Sequence, residues 1–355
     1  MKEYAPAAGS TLPARLPYPN GWFCLGQTRE IPPGTVITRP FMGGDLVLYR
    51  TRSGKLCAVR PYCPHLGAHL GVGGRIDGEL LVCPFHKFAY DTTGQCARTP
   101  YGKPPRNTSL TRHDVQEKAG LVWVWHHSDG MAPTWSLPDL PVYGAHPAVR
   151  STRLSGHPQE FLENTADTGH GRELHGWSSF IVEVLTRPTD PVMRLKGSVV
   201  SRIPVLGKFR QEFDLTAIGL AGSQIHFSSF GGRLKATTFA LATPVSPWEV
   251  RLWLISSGAL RPSFGIGTRV VSQLMLAWVW QQATAEIPIW NHKKYLPHPR
   301  LNSEDGPIGP FRVWARQFYS KSEGDQLDPM IGNAVTHRVE KTSSREKHHD
   351  DLEVS

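Results

Sequence analysis

Two split pairs of metal-binding residues constrain this chain more than anything else in it. They are Cys63-Pro64-His65 and, after seventeen intervening residues, Cys83-Pro84-Phe85-His86. Each pair puts a thiolate and an imidazole into one tight loop, and a short strand pair can set two such loops face to face. Zinc of the Cys2His2 type is the competing reading, but zinc sites favour two close cysteines followed by two close histidines. Split pairs suit a [2Fe–2S] cluster with two thiolates on one iron and two imidazoles on the other. Neutral imidazole there reduces the negative charge and raises the potential. The candidate cluster ligands are Cys63, His65, Cys83 and His86. Cys24, Cys57 and Cys96 read as small buried hydrophobes, and the odd total of five argues against a disulfide framework.

The flanking sequence reads as short strands broken by turns. Asp45 to Thr51 and Lys55 to Arg60, joined at Ser53-Gly54, form a hairpin pattern. Leu80 to Cys83 and Leu121 to Trp125 are further strand candidates, rich in β-branched and aromatic residues. After an N-terminal extension over 1–20, residues 21–128 are therefore expected to be an all-β Rieske [2Fe–2S] domain, with a Pro-containing linker over 129–141. One local departure stands out: such loops usually read C-P-x-H-G-W, whereas Lys87-Phe88 follows His86 here.

From 142 to 332 the pattern changes. Pro158 opens a helix expected to run to about Thr168. Strands follow at roughly Phe180 to Thr186, Val192 to Ile203, Arg210 to Ala217, Ser223 to Ser229, Lys235 to Ala242 and Glu249 to Ser256. A long helix is expected near Gly267 to Ala285, burying Val271, Leu274, Met275 and Trp278. This is an α+β domain, with a sheet and helices to one side. The tail over 333–355 is charged, polar and expected to be disordered.

The second constellation is Glu163-Asn164-Thr165-Ala166-Asp167-Thr168-Gly169-His170-Gly171-Arg172-Glu173-Leu174-His175. On a helix Asp167 and His170 share a face, and His175 follows five residues later. Two imidazoles and a carboxylate, with positions left open for O2 and substrate, make the facial triad of non-haem Fe(II) oxygenases. Alone, H-x4-H would default to two surface histidines. Beside a one-electron relay, an O2-activating iron is the complementary part. Asn164 either points into the pocket or is a helix-terminal polar residue.

The 355-residue chain has globular composition and a formal charge of +9. No zinc finger, helix-turn-helix or ribonucleoprotein motif accompanies that charge, so nucleic acid is not expected as a partner. An acidic electron-donor protein or an anionic membrane surface fits it equally. No run of about 18 apolar residues suggests a membrane span. A cytoplasmic protein is expected, with peripheral contact to a membrane as the option its charge leaves open.

The chain resembles the Rieske non-haem iron oxygenases, in the branch of the cholesterol 7-desaturases and 3-ketosteroid 9α-hydroxylases. The likeness covers most of residues 17–320. Its markers are both metal motifs, Tyr18-Pro19-Asn20-Gly21-Trp22, and Asp305-Gly306-Pro307-Ile308 followed by Arg312, Trp314, Gln317, Phe318 and Tyr319. The resemblance implies a C-terminal helix-grip (START-like) catalytic domain and a homotrimer. It also implies that Asp167 links His170 to the cluster histidine of the next subunit, so that its removal disconnects the two centres. The family places an aspartate before an I-x-I-W segment on the long helix. Here Ala285-Glu286-Ile287-Pro288-Ile289-Trp290 offers Glu286 as the third iron ligand, with Glu163 and Asp305 as the alternative carboxylates.

The expected activity is oxidation of a sterol or steroid-like lipid by hydroxylation, desaturation or methyl oxidation. Electrons would come from NAD(P)H through a separate flavin reductase or ferredoxin, since no trustworthy dinucleotide fingerprint is present. The alternatives are the same chemistry on an aromatic, alkaloid or natural-product substrate, or a pure Rieske electron carrier.

Overall fold

A computed structural model describes residues 16–320 apart from 185–186, 204–206, 261–265 and 303. The expected tail lies outside the described residues.

Three small antiparallel sheets build the N-terminal part. β1 (Gly21–Gln27), β10 (Val115–Lys118) and β11 (Leu121–His126) form one, with β11 central. β2 (Val36–Phe41), β3 (Gly44–Arg50), β4 (Leu56–Val59) and β9 (Arg112–His113) form the second, which contains the expected hairpin as β3–β4. β5 (Arg75–Asp77), β6 (Leu80–Val82), β7 (Ala89–Tyr90) and β8 (Cys96–Arg98) form the third. β1 and most of β11 are buried on both faces, which explains their nearly unbroken apolar sequence.

The C-terminal part is built on one seven-stranded antiparallel sheet, ordered β12-β18-β17-β16-β15-β14-β13. The strands are β12 (Ala148–Ser155), β13 (Ser179–Val184), β14 (Val192–Ile203), β15 (Gly207–Ile218), β16 (Gly222–Ser229), β17 (Leu234–Ser246) and β18 (Glu249–Leu260). Alternation is plain along β15: Arg210, Glu212 and Asp214 point to solvent, while Gln211, Phe213 and Leu215 point inward. Opposite Phe213 stands Gly197. A Cβ there would lie 2.5 Å from the Phe213 ring and 2.2 Å from the Ile181 carbonyl, so only glycine lets the aromatic side chain lie across the strand.

The N-terminal helical segment differs from expectation. Instead of one helix over 158–168 there are two, α1 (Pro158–Glu163) and α2 (Thr168–Glu173). Thr165, Ala166 and Asp167 close the first in a turn, and the Thr165 hydroxyl donates back to the Leu162 carbonyl at 2.7 Å. Asp167 then takes an extended conformation and caps α2, accepting from the His170 N–H at 3.1 Å. Aspartate stabilises a helix start better than a helix interior, and that preference breaks the run. Asp167 and His170 therefore meet as cap and third helical residue, not as neighbours on one helix face.

The long helix α3 (Ile266–His292) packs on β18 and β12 and runs seven residues past the expected end at Ala285, through Pro288. Its buried stripe includes Met275, Leu276, Ala283, Glu286 and Trp290, and Trp290 packs at a tilt against Phe161, ring centroids 4.3 Å apart. That contact carries the helix beyond the proline. Leu274 lies off the stripe and is 65% exposed, contrary to its expected place on the buried face. α4 (Ile308–Ala315) closes the fold against α1. A shared core joins the two parts: Trp22, Trp123 and Trp125 pack with Phe239, Leu241, Trp253 and Ile255. Among the described residues no helix is long and apolar enough to cross a membrane.

Candidate active site

The four cluster candidates lie on two facing loops. The first is folded by Cys63 N–H to Ala68 and Gly67 N–H to Cys63 bonds, both 2.9 Å, and the second by a Cys83 N–H to Phe88 bond of 2.8 Å. Cys63 and Cys83 are buried, while the imidazoles of His65 and His86 approach with ring centroids 4.7 Å apart. His65 Nδ1 is buried without a hydrogen-bond partner. An orphaned buried nitrogen is costly unless something binds it, and a metal supplies that partner. Phe88 stacks flat on His65 at 4.2 Å, and the Tyr90 hydroxyl lies 3.0 Å from Cys63 Sγ. Neither role was visible in the motif. Lys87 adopts φ 57°, the left-handed region that favours glycine, and its ammonium folds back to the Pro84 carbonyl at 2.6 Å. Tyr62, Leu66, Phe85 and Tyr101 leave an exposed apolar rim around these loops.

The second centre forms where α2, the turn after it and α3 converge. His170, His175 and Glu286 bring ligand atoms within 4.8 Å of one another. Among the described residues this is the one such group of three His, Cys, Asp or Glu side chains. His175 Nε2 lies 2.9 Å from Glu286 Oε1, and Asn164 Nδ2 donates to Glu286 Oε2. His170 Nδ1 donates to the Asp167 carbonyl at 2.6 Å, which leaves Nε2 as the ring nitrogen free to ligate. Burial disfavours the His170 imidazolium, but the Asp167 hydrogen bond and the Glu286 charge outweigh it and raise the pKa. Burial likewise opposes the Asp167 carboxylate, and the hydrogen bonds from His170 overcome it and lower the pKa.

The alternative carboxylates are engaged elsewhere. Glu163 takes a two-pronged bond from Arg312 at 2.7 and 2.9 Å, while Asp305 accepts from the Asn302 N–H at 2.7 Å. Gly306 next to it lies so close to α1's turn that a Cβ would come 2.3 Å from the Ala166 carbonyl. The D-G-P-I motif thus fits against the segment that positions Asp167.

A cavity of about 180 Å³, open to the outside, rises from Glu286 between α3 and the inner face of the sheet. Phe180, Val199, Phe213, Leu215, Phe227 and Trp278 make it strongly apolar. Trp177 packs on His175 at 4.8 Å and forms part of the same wall. Trp278 thus lines the cavity, while Trp280 lies under the Arg150 guanidinium at 3.9 Å. An apolar cavity ending at two imidazoles and a carboxylate can hold a hydrophobic molecule against a metal with open positions.

Residues 21–118 match the Rieske [2Fe–2S] domain, and residues 124–319 match the 3-ketosteroid 9alpha-hydroxylase C-terminal domain. The chain is 30% identical over 332 residues to the cholesterol 7-desaturase of Bombyx mori, covering 88% of this chain and 72% of that one. It is 28% identical over 352 residues to the probable 3-ketosteroid-9-alpha-monooxygenase, oxygenase component, of Rhodococcus rhodochrous, covering 92% and 85%. The crystal structure of dicamba monooxygenase bound to 3,6-dichlorosalicylic acid superposes with a TM-score of 0.67 at 19% identity, covering 84% of this chain and 96% of that one, a likeness of fold.

Fold and site thus define a Rieske-type oxygenase, an enzyme with a [2Fe–2S] cluster and a mononuclear iron, supplied with electrons from NAD(P)H through a separate reductase. The chain belongs to the branch of that family that contains the 3-ketosteroid 9α-hydroxylases and the cholesterol 7-desaturases. A C-terminal domain over 124–319 sets aside the pure electron carrier.

Proposed function

We propose that this oxygenase acts on a sterol or steroid-like lipid, with Cys63, His65, Cys83 and His86 holding the cluster and His170, His175 and Glu286 holding the iron. The observation that carries the reading is the convergence of those three ligand atoms at the end of an apolar cavity. Bound there, an iron would supply O2 activation, and a cluster on the four N-terminal ligands would supply one-electron transfer.

The chain's own residues do the rest. Asn164 holds the outer oxygen of Glu286 and so fixes its carboxylate plane. The Asp167 carbonyl sets the His170 tautomer. Trp177, Phe180 and Phe213 exclude water and grip an apolar skeleton. The cavity encloses the reacting end of a long molecule and leaves the remainder to the opening. The exposed rim around the cluster loops suits a homotrimer, in which the half-buried Asp167 carboxylate meets His86 of the partner subunit. A ferredoxin or flavin reductase is the proposed donor, and the chain's positive charge suits an acidic one. Residues 21–128 and 142–332 are taken as the two functional domains. A cytoplasmic enzyme touching a membrane to collect its substrate fits the same charge.

The test combines metal analysis with turnover. Glu286→Ala is expected to keep the cluster's visible spectrum and lose most of the mononuclear iron. Full iron occupancy with normal turnover would remove Glu286 from the site. Wild type supplied with ferredoxin, reductase, NADH and a panel of sterols and ketosteroids should give a product that has gained one oxygen or lost two hydrogens. No product and no substrate-stimulated O2 uptake, with both metal sites filled, would move the substrate to another apolar class.

A further inference from the structure

Most polar side chains on the cavity wall already have a partner. Thr165 Oγ1 donates to the Leu162 carbonyl at 2.7 Å, Thr238 Oγ1 lies 3.0 Å from Ser256 Oγ, and Asn164 Nδ2 is committed to Glu286. His170, His175 and Glu286 form the metal trio. Apart from the indole N–H groups of Trp177 and Trp278, one polar side chain is left over, and it alone offers an acceptor as well as donors. Gln282, half-buried on α3, lines the cavity and has no hydrogen-bond partner among the described residues. Its carboxamide offers an acceptor oxygen and two donor N–H groups to a wall that is otherwise aromatic and aliphatic.

Position makes the amide informative. Gln282 and Glu286 are four residues apart, so both project from one face of α3, separated by one turn or about 6 Å along the axis. A group held by Gln282 therefore lies near the iron, not at the far mouth of the cavity. The cavity encloses only about 180 Å³, so what reaches the iron is one end of the substrate, and Gln282 meets that same end.

Resting on the steroid-like reading above, we propose that Gln282 is a specificity-determining residue. Its carboxamide hydrogen-bonds an oxygen function, hydroxyl or ketone, on the ring end that enters first. The attacked carbon then belongs to the same end of the skeleton as that oxygen. The amide can accept from a hydroxyl or donate to a ketone, so the site takes either oxidation state. It disfavours a hydrocarbon that leaves the amide dry and unpaired.

The test is a binding comparison on the fully metal-loaded enzyme. Cholesterol, 4-cholesten-3-one and the deoxy hydrocarbon cholest-5-ene, delivered from cyclodextrin, are titrated against the EPR signal of the nitrosyl adduct at the mononuclear site. Wild type should bind the two oxygenated probes roughly tenfold to hundredfold tighter than the hydrocarbon, the range expected for one buried hydrogen bond. Q282L should bind all three alike and keep the hydrocarbon affinity, which reports an intact pocket. Q282N, one methylene shorter, should fall between and cover the case of a misfolded leucine variant. Equal affinities in wild type, or discrimination unchanged in both variants, would overturn the assignment and leave the lipid reading standing. Wild type binding none of the probes would overturn the lipid reading and this assignment with it.

Discussion

At the proposed cluster a neighbouring side chain adjusts chemistry that the ligands alone would leave unset. The Tyr90 hydroxyl, 3.0 Å from Cys63 Sγ, becomes a donor once that sulfur is a thiolate. A donor to sulfur favours the reduced, more negative cluster and raises its potential. Tyr90→Phe should therefore lower the midpoint potential in an EPR-monitored titration. If about 1 kcal/mol of the bond distinguishes the two oxidation states, the drop is roughly 40 mV for one electron. An unchanged potential would mean that the hydroxyl does not donate to the ligand. Tyr90 lies seven residues beyond Cys83 on a strand of two residues, so neither spacing nor periodicity could mark it.

Between elements, the buried pair of Glu163 and Arg312 ties the end of α1 to α4, and Arg312 also donates to the Leu296 carbonyl at 2.7 Å. Glu163 immediately precedes Asn164, so this tie helps set the segment that reaches Glu286. Both side chains are about nine-tenths buried, where an unpaired charge is expensive. Arg312→Ala should lower unfolding stability by about 3–5 kcal/mol, read from urea unfolding. Glu163→Leu with Arg312→Met should recover most of it, because burial without charge costs little. If Arg312→Ala costs no more than a surface change, the pair is not a structural tie. Glu163 appeared in the sequence as a possible iron ligand because its type and position allowed it. Only the approach of α4, 149 residues away, commits it to an arginine.

Across the whole molecule, two histidines near the junction of the two parts, His157 buried and His126 half-buried, make stability depend on pH. His157 accepts from the Gln159 N–H through Nδ1 and donates to the Pro17 carbonyl through Nε2, so its neutral form is satisfied at both nitrogens. Burial pushes its pKa down to about 4. Burial, with smaller repulsion from His113 and His127, does the same for His126. The unfolded chain takes up these protons near pH 6.5, before the folded one does. The stabilisation is therefore whole above about pH 6.5 and lost as pH falls towards 4, on the order of 3 kcal/mol for each histidine. The urea midpoint should fall steeply across that window, and His157→Gln should flatten the fall. A midpoint independent of pH between 6.5 and 4 would show that these imidazoles are not held neutral.

By itself the sequence determined the two metal motifs, the β character of the first part and most strands of the second. These signals are local: ligand spacing, alternation and turn residues act within a few positions. It also carried Glu286 as the candidate third ligand, on the strength of the I-x-I-W context. Tertiary structure decided what depends on distant partners. It carried α3 past Pro288 because Trp290 found Phe161. It turned Leu274 outward and left Gln282 facing an apolar cavity. The physical reason is the same in each case. A side chain's partner across the fold lies tens or hundreds of residues away, and no local pattern encodes which surface will be brought against it.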